Sequence, residues 1–134
     1  MPNAATLRIW LRALFGPSVV RNTMSFQNAA AGYTDNGNPG SETIDHNTAW
    51  QNVKAGFVFN RSTSKLTKNL SVANASAVTL GSSTSSGNSW DLGGTWTFLS
   101  TSSGTLTGAR TSSGAITSSN FLWPSNGADV GAKL

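Results

Sequence analysis

Glu42, Asp45 and His46 are the only clustered titratable residues in this chain, and His46 is its single histidine. A carboxylate beside an imidazole can hold the ring in one tautomer and prepare it for proton transfer. A hydrolytic triad also needs a placed nucleophile and an oxyanion hole, and neither is written into the sequence. In a chain this rich in serine, a serine near a histidine carries little information. The trio therefore reads as surface or interface before it reads as a catalytic centre, and no catalytic residue is assigned.

Metal chemistry finds no better footing. The run Asp35-Asn36-Gly37-Asn38-Pro39-Gly40 begins like a calcium loop, with Gly40 at the sixth position. Gly37 stands where the third ligand belongs and His46 where the final glutamate belongs, so the loop fails. With no cysteine, a thiolate site and a disulfide framework are both excluded. No zinc spacing occurs, and no metal or other cofactor is expected.

Two further groups of side chains could bind rather than react. Lys54, Arg61, Lys65 and Lys68 form a basic stretch able to contact phosphates, with Phe57 and Phe59 nearby. The alternation of Val53, Ala55, Phe57 and Phe59 places those rings in a core instead, so nucleic acid is possible but not favoured. Trp50, Trp90, Trp96 and Trp123, with Tyr33, offer flat faces on which sugars could stack. Core packing accounts for them more economically, with Trp96 and Phe98 alternating inside a small sandwich.

The elements that would position these residues read mainly as β-structure. The motif Thr-Ser-Ser-Gly recurs at Thr84–Gly87, Thr101–Gly104 and Thr111–Gly114, with Thr117-Ser118-Ser119-Asn120 a near copy. Turn residues at short intervals between apolar segments predict antiparallel hairpins. Gln51 to Asn60 alternates most clearly, and Leu70 to Leu80 continues the pattern with Ala73, Ala75 and Ala77 on its opposite face. Val19 and Val20 suggest a short strand, and Ser41 to Gln51 reads as either a strand or a short helix. In front of these, Asn3 to Phe15 reads as an amphipathic helix whose apolar face carries Leu7, Trp10, Leu11, Leu14 and Phe15. Gly16-Pro17 stops it.

The predicted architecture is thus an antiparallel β-sandwich or barrel with one N-terminal helix. It is a single domain over 1–134: helix and arm 1–23, irregular arm 24–50, β core 51–123 and surface tail 124–134. Charged residues make up 10% of the chain, against roughly 25% in typical soluble domains. The net charge of +4 is laid out in blocks of alternating sign, which suits docking to neighbouring copies. No run approaches the roughly 18 apolar residues that span a bilayer. Arg8 and Arg12 interrupt what would be the apolar part of a signal peptide.

This profile of low charge, no cysteine, Ser/Thr/Gly turns and an N-terminal arm resembles the small structural proteins of bacteriophage virions. The segment Phe121-Leu122-Trp123-Pro124 is similar to a turn in lambdoid decoration proteins. The resemblance implies a non-enzymatic capsid decoration, cement or coat protein, made in the host cytoplasm and located in the virion. It would bind its own copies or a major capsid protein, with Leu7, Trp10, Leu11, Leu14 and Phe15 as partner contacts and no small-molecule substrate. The alternatives are a carbohydrate-binding module of a fibre or adhesin, and a nucleic-acid-packaging coat protein using Lys54, Arg61, Lys65 and Lys68.

Overall fold

The computed structural model describes residues 17–134. The helix expected over Asn3 to Phe15, with all five proposed partner contacts, lies outside the described residues. The described residues are mainly β, but their sheets are parallel throughout, so the antiparallel sandwich or barrel is overturned. The chain winds into a β-solenoid of about three turns.

The first turn supplies β1 (Val19–Arg21), β2 (Met24–Phe26) and β3 (Tyr33–Thr34). The second supplies β4 (Thr43–Asp45), β5 (Thr48–Trp50) and β6 (Ala55–Phe59), and the third β7 (Lys65–Thr67), β8 (Leu70–Val72) and β9 (Ser76–Leu80). A fourth turn begins with β10 (Thr84–Ser86) and then leaves the pattern at α1, the single helical turn Ser89–Leu92. Strands therefore stack as β1-β4-β7-β10, β2-β5-β8 and β3-β6-β9, each pairing with its counterpart one circuit away. The irregular arm expected over 24–50 instead holds four of these strands, and Ser41 to Gln51 holds two of them.

The corners explain how such short strands connect without loops. Asn22, His46 and Lys68 adopt positive φ between the first and second sheets, at 52°, 51° and 53°. Gln27, Gln51 and Ala73 do the same between the second and third sheets, each at 54°. One left-handed residue turns the strand direction sharply, which strands backbone polar groups inside the bend. Buried asparagines satisfy them. Asn69 Nδ2 donates to the Ile44 carbonyl, while its Oδ1 accepts from the Asn47 backbone N–H and Nδ2. Asn88 repeats this on Leu66 and Asn69 one turn later. At the second corner Asn28, Asn52 and Asn74 form the matching stack.

Two apolar cores result, one inside the solenoid and one outside it. Inside, Ile44, Ala49, Phe57, Phe59 and Leu66 pack together, and Tyr33 stacks on Phe57 with centroids 4.9 Å apart. Trp90, on α1, lies across Phe57 and closes the interior after the third turn. Val53, expected on this face, is 68% exposed because the strand starts only at Ala55. The unbroken strand from Leu70 to Leu80 is likewise interrupted by the corner at Ala73.

The second core forms on the outer face of the second sheet. Trp50, Leu70, Phe26 and Val72 point outward there and are covered by Leu106, Phe121, Leu122 and Val130. The Thr84 to Trp123 stretch is therefore not a set of hairpins. Beyond β10 it contains α1, one further helical turn, α2 (Gly104–Thr107), and isolated bridges such as Phe98 to Pro124. The expected surface tail is part of this cover, with Val130 and Ala132 buried. Gly131 has a φ of +79°, and a side chain there would meet Thr48 Oγ1 at 2.8 Å and Leu70 Cβ at 2.9 Å.

Two outcomes test this architecture. Asn69→Ala leaves several buried backbone groups without partners and is expected to lower stability by about 3 kcal/mol in urea denaturation. A loss under about 1 kcal/mol would show that the stack is dispensable. Gly131→Ala is expected to cost about 2–3 kcal/mol through backbone strain and overpacking, with the Trp50 emission shifting red as the cover loosens. An unchanged melt would mean that the cover does not sit closely on the sheet.

Candidate functional site

The solenoid brings together side chains that the sequence keeps apart. At the corner between the first and second sheets, His46 Nδ1 lies 3.0 Å from Asp45 Oδ2, and Nε2 lies 3.1 Å from Asp129 Oδ1. Arg21 Nε meets Asp45 Oδ2 at 2.9 Å, and Lys68 Nζ meets Asp129 Oδ2 at 2.7 Å. Each turn contributes one stretch. Arg21 ends β1, Asp45 ends β4 directly below it in register, and Thr67 follows on β7. The Thr67 hydroxyl donates to Asp45 Oδ1 at 2.6 Å.

Asp129 arrives from the other end of the sequence on a strap that runs along the solenoid axis. The Gly131 N–H donates to the Lys68 carbonyl, the Ala132 N–H to Thr48 Oγ1, and the Lys133 N–H to Asn22 Oδ1. Successive strap residues thus reach the third, second and first turns. Burial also lowers the Lys133 ammonium from its ordinary value, and this group lies 5.1 Å from the centre of the Trp123 ring.

The electrostatics follow from the contacts. Burial opposes ionisation of Asp45, but bonds from Thr67 and His46 and the charges of His46 and Arg21 outweigh it and hold the carboxyl below its ordinary value. The bond from Lys68, followed by that from His46, lowers Asp129, and the same contact raises Lys68. A neutral imidazole has one N–H and can donate to only one of its two carboxylates, whereas an imidazolium donates to both.

The sequence-predicted residues are redistributed. Glu42 parts company with Asp45 and His46: it is buried, with Asn38 Nδ2 3.4 Å from its Oε1. Asp35 is also buried, and its carboxylate accepts from the Gly37, Arg61 and Ser62 backbone N–H groups. It braces a turn. No group of three or more His, Asp or Glu residues able to hold a metal occurs among the described residues.

Lys54, Arg61, Lys65 and Lys68 are all exposed but spread around one circuit, before and after β6, on β7 and at the corner. Only Lys68 enters the cluster, and Phe57 and Phe59 are sealed inside. Trp50 is covered, with Phe121 edge-on at 4.9 Å, and Trp90 closes the interior. Arg21 and Asp129 were missed as site residues because nothing local links positions so far apart; Asp129 in particular lies 83 residues from His46. No helix among the described residues is long and apolar enough to cross a membrane.

Comparison with known proteins gives two matches of similar extent. Pectate lyase PEL9 of Emericella nidulans is 39% identical over 66 residues, which is 48% of this chain and 16% of that protein. Pectate lyase L of Paenibacillus polymyxa is 38% identical over 65 residues, again 48% of this chain and 14% of that protein. The matched stretch is thus about half of this chain and a small part of either lyase. No family model matches, and no solved structure matches. The two enzymes overturn the expectation of a non-enzymatic capsid, decoration or coat protein located in a virion, since the chain's likeness is to two pectate lyases.

The carboxylates give the cluster a testable signature. Asp45 and Asp129 both have folded values below their unfolded ones, so their stabilisation is complete above the ordinary carboxylate value of about 4 and is lost as pH falls through the folded values. Stability is therefore expected to drop on acidification in that window, and Asp45→Asn to flatten the drop. An identical acid limb in the variant, measured by melting at stepped pH, would remove Asp45 from the account.

Proposed function

We propose that this chain is a pectate lyase-like β-solenoid that engages an acidic polysaccharide outside the cell and takes part in its cleavage. The observation that carries the reading is the match of nearly half the chain to two pectate lyases, one fungal and one bacterial. The fold supports it. Among the described residues the outer face of the first sheet carries Val19, Thr43, Lys65 and Thr84 in one row and Arg21, Asp45, Thr67 and Ser86 in the next. Rungs about 4.8 Å apart make this an extended, hydroxyl-bearing strip suited to a stretched polymer. The net charge of +4 favours a polyanion.

A polyuronate column at low salt is expected to retain the folded chain, and ultraviolet absorbance to reveal unsaturated uronide ends released from soluble polyuronate. Passage through that column as freely as through neutral galactan would overturn the reading. Retention without release would keep recognition of the polymer and overturn the cleavage.

A further inference from the structure

The most exposed carboxylate of the corner cluster is the one held most like a ligand. The Asp129 side chain is 63% exposed and sits on the strap, yet each of its oxygens faces a nitrogen from a different solenoid turn. His46 Nε2 lies 3.1 Å from Oδ1, and Lys68 Nζ lies 2.7 Å from Oδ2. The solenoid builds this pair of nitrogens. His46 and Lys68 occupy the same corner in successive turns with the same left-handed backbone, so their side chains leave side by side, one rung of about 4.8 Å apart.

The ring is also set in advance. Asp45, 9% exposed, is fixed by Thr67 Oγ1 and Arg21 Nε and holds His46 by Nδ1, which leaves Nε2 facing outward. With His46 as an imidazolium, which donates from both ring nitrogens, Nε2 and Lys68 Nζ fixed one rung apart and turned to solvent form a fork that takes one carboxylate oxygen each.

We propose that His46 and Lys68 form a carboxylate-binding subsite for the uronate groups of an acidic polysaccharide, and that Asp129 is its internal occupant, an autoinhibitory plug that the ligand displaces. The inference rests on the polyuronate reading above. The exchange replaces one carboxylate by another, so the charge at the corner is unchanged and no bond is made or broken. The strap need not peel away for it. Gly131, Ala132 and Lys133 keep their own hydrogen bonds to Lys68, Thr48 and Asn22, and only the Asp129 side chain has to swing out. Arg21 and Asp45 stay paired beside the subsite, and Lys133 stays against Trp123, with its ammonium 3.2 Å from the Val130 carbonyl.

Calorimetric titration of the whole chain with oligogalacturonate at low salt tests this. Removing an internal competitor raises apparent affinity by the fraction it blocked, so Asp129→Asn is expected to bind about tenfold tighter than the unaltered chain. Adding His46→Ala and Lys68→Ala to that variant is expected to cancel the gain. If the unaltered chain binds and Asp129→Asn binds no tighter, the plug is overturned while the polyuronate reading stands. If the gain survives loss of His46 and Lys68, the subsite is overturned in the same way. If no form binds, both fall.

A second measurement needs no variant. The imidazole resonances of His46, the sole histidine, are expected to shift as oligogalacturonate is added. Binding that leaves them unmoved would overturn the subsite.

Discussion

A solenoid with corners of one residue can exist only if something inside each bend completes the backbone hydrogen bonding that the bend interrupts. Here that partner is a carboxamide. Asn47, Asn69 and Asn88 stack at one corner and Asn28, Asn52 and Asn74 at the other, and all but Asn28, which caps its stack by donating to Asn52 Oδ1, bond backbone in a neighbouring turn. Asparagine is suited because it carries donors and an acceptor on a short stem. An unpaired amide at the same depth would cost several kcal/mol. The left-handed corners are themselves unfavourable for residues such as His46, Lys68 and Gln51, and persist because the strands on either side are already committed to their ladders. Strand length, turn length and the positions of the surface charges all follow from keeping these stacks in register.

The stacks also determine where apolar surface can go. The interior is narrow and filled by a few large residues, among them Phe57, Phe59, Ile44 and Leu66. The second sheet turns Ala49, Ser25 and Ser71 inward and sends Trp50, Phe26 and Leu70 out. Its outer face therefore has to be covered, and the irregular C-terminal half supplies the cover. The first sheet has the reverse bias, with Ile44 and Leu66 inward and Thr43, Lys65 and Arg21 outward, so its face can meet solvent or a polar ligand. Among the described residues one side is closed and the other open for the same reason: the alternation along three-residue strands.

Much of this was legible in the sequence, and the failures have physical causes. The β content, the short strand at Val19 and Val20, and the inward placement of Phe57 and Phe59 follow from alternation alone. The conspicuous Thr-Ser-Ser-Gly repeats point to hairpin turns and mask the parallel pairing, although Thr84–Ser86 is the only one of the copies that forms a strand. The informative repeat was quieter: Thr23-Met-Ser-Phe-Gln-Asn28, Asn47-Thr-Ala-Trp-Gln-Asn52 and Asn69-Leu-Ser-Val-Ala-Asn74 recur 24 and then 22 residues apart. Recurrence at that period is the mark of a solenoid. Of the site, the Asp45–His46 contact was readable from adjacency. Arg21, Lys68 and Asp129 join it only because the turns stack and the strap returns, which no local pattern encodes.

The strap has a geometric consequence for how the molecule can vary. Between Asp129 and Lys133 it touches the third, second and first turns in succession, spending little more than one extended residue on each rung. It acts as a ruler laid along the coil. Solenoids ordinarily lengthen or shorten by whole turns with little penalty, because each turn contacts only its neighbours. This one is measured from outside, so a duplicated or deleted turn would leave the ruler out of step with the corners it spans. The number of turns beneath the strap is thereby tied to a segment that is not itself part of the coil.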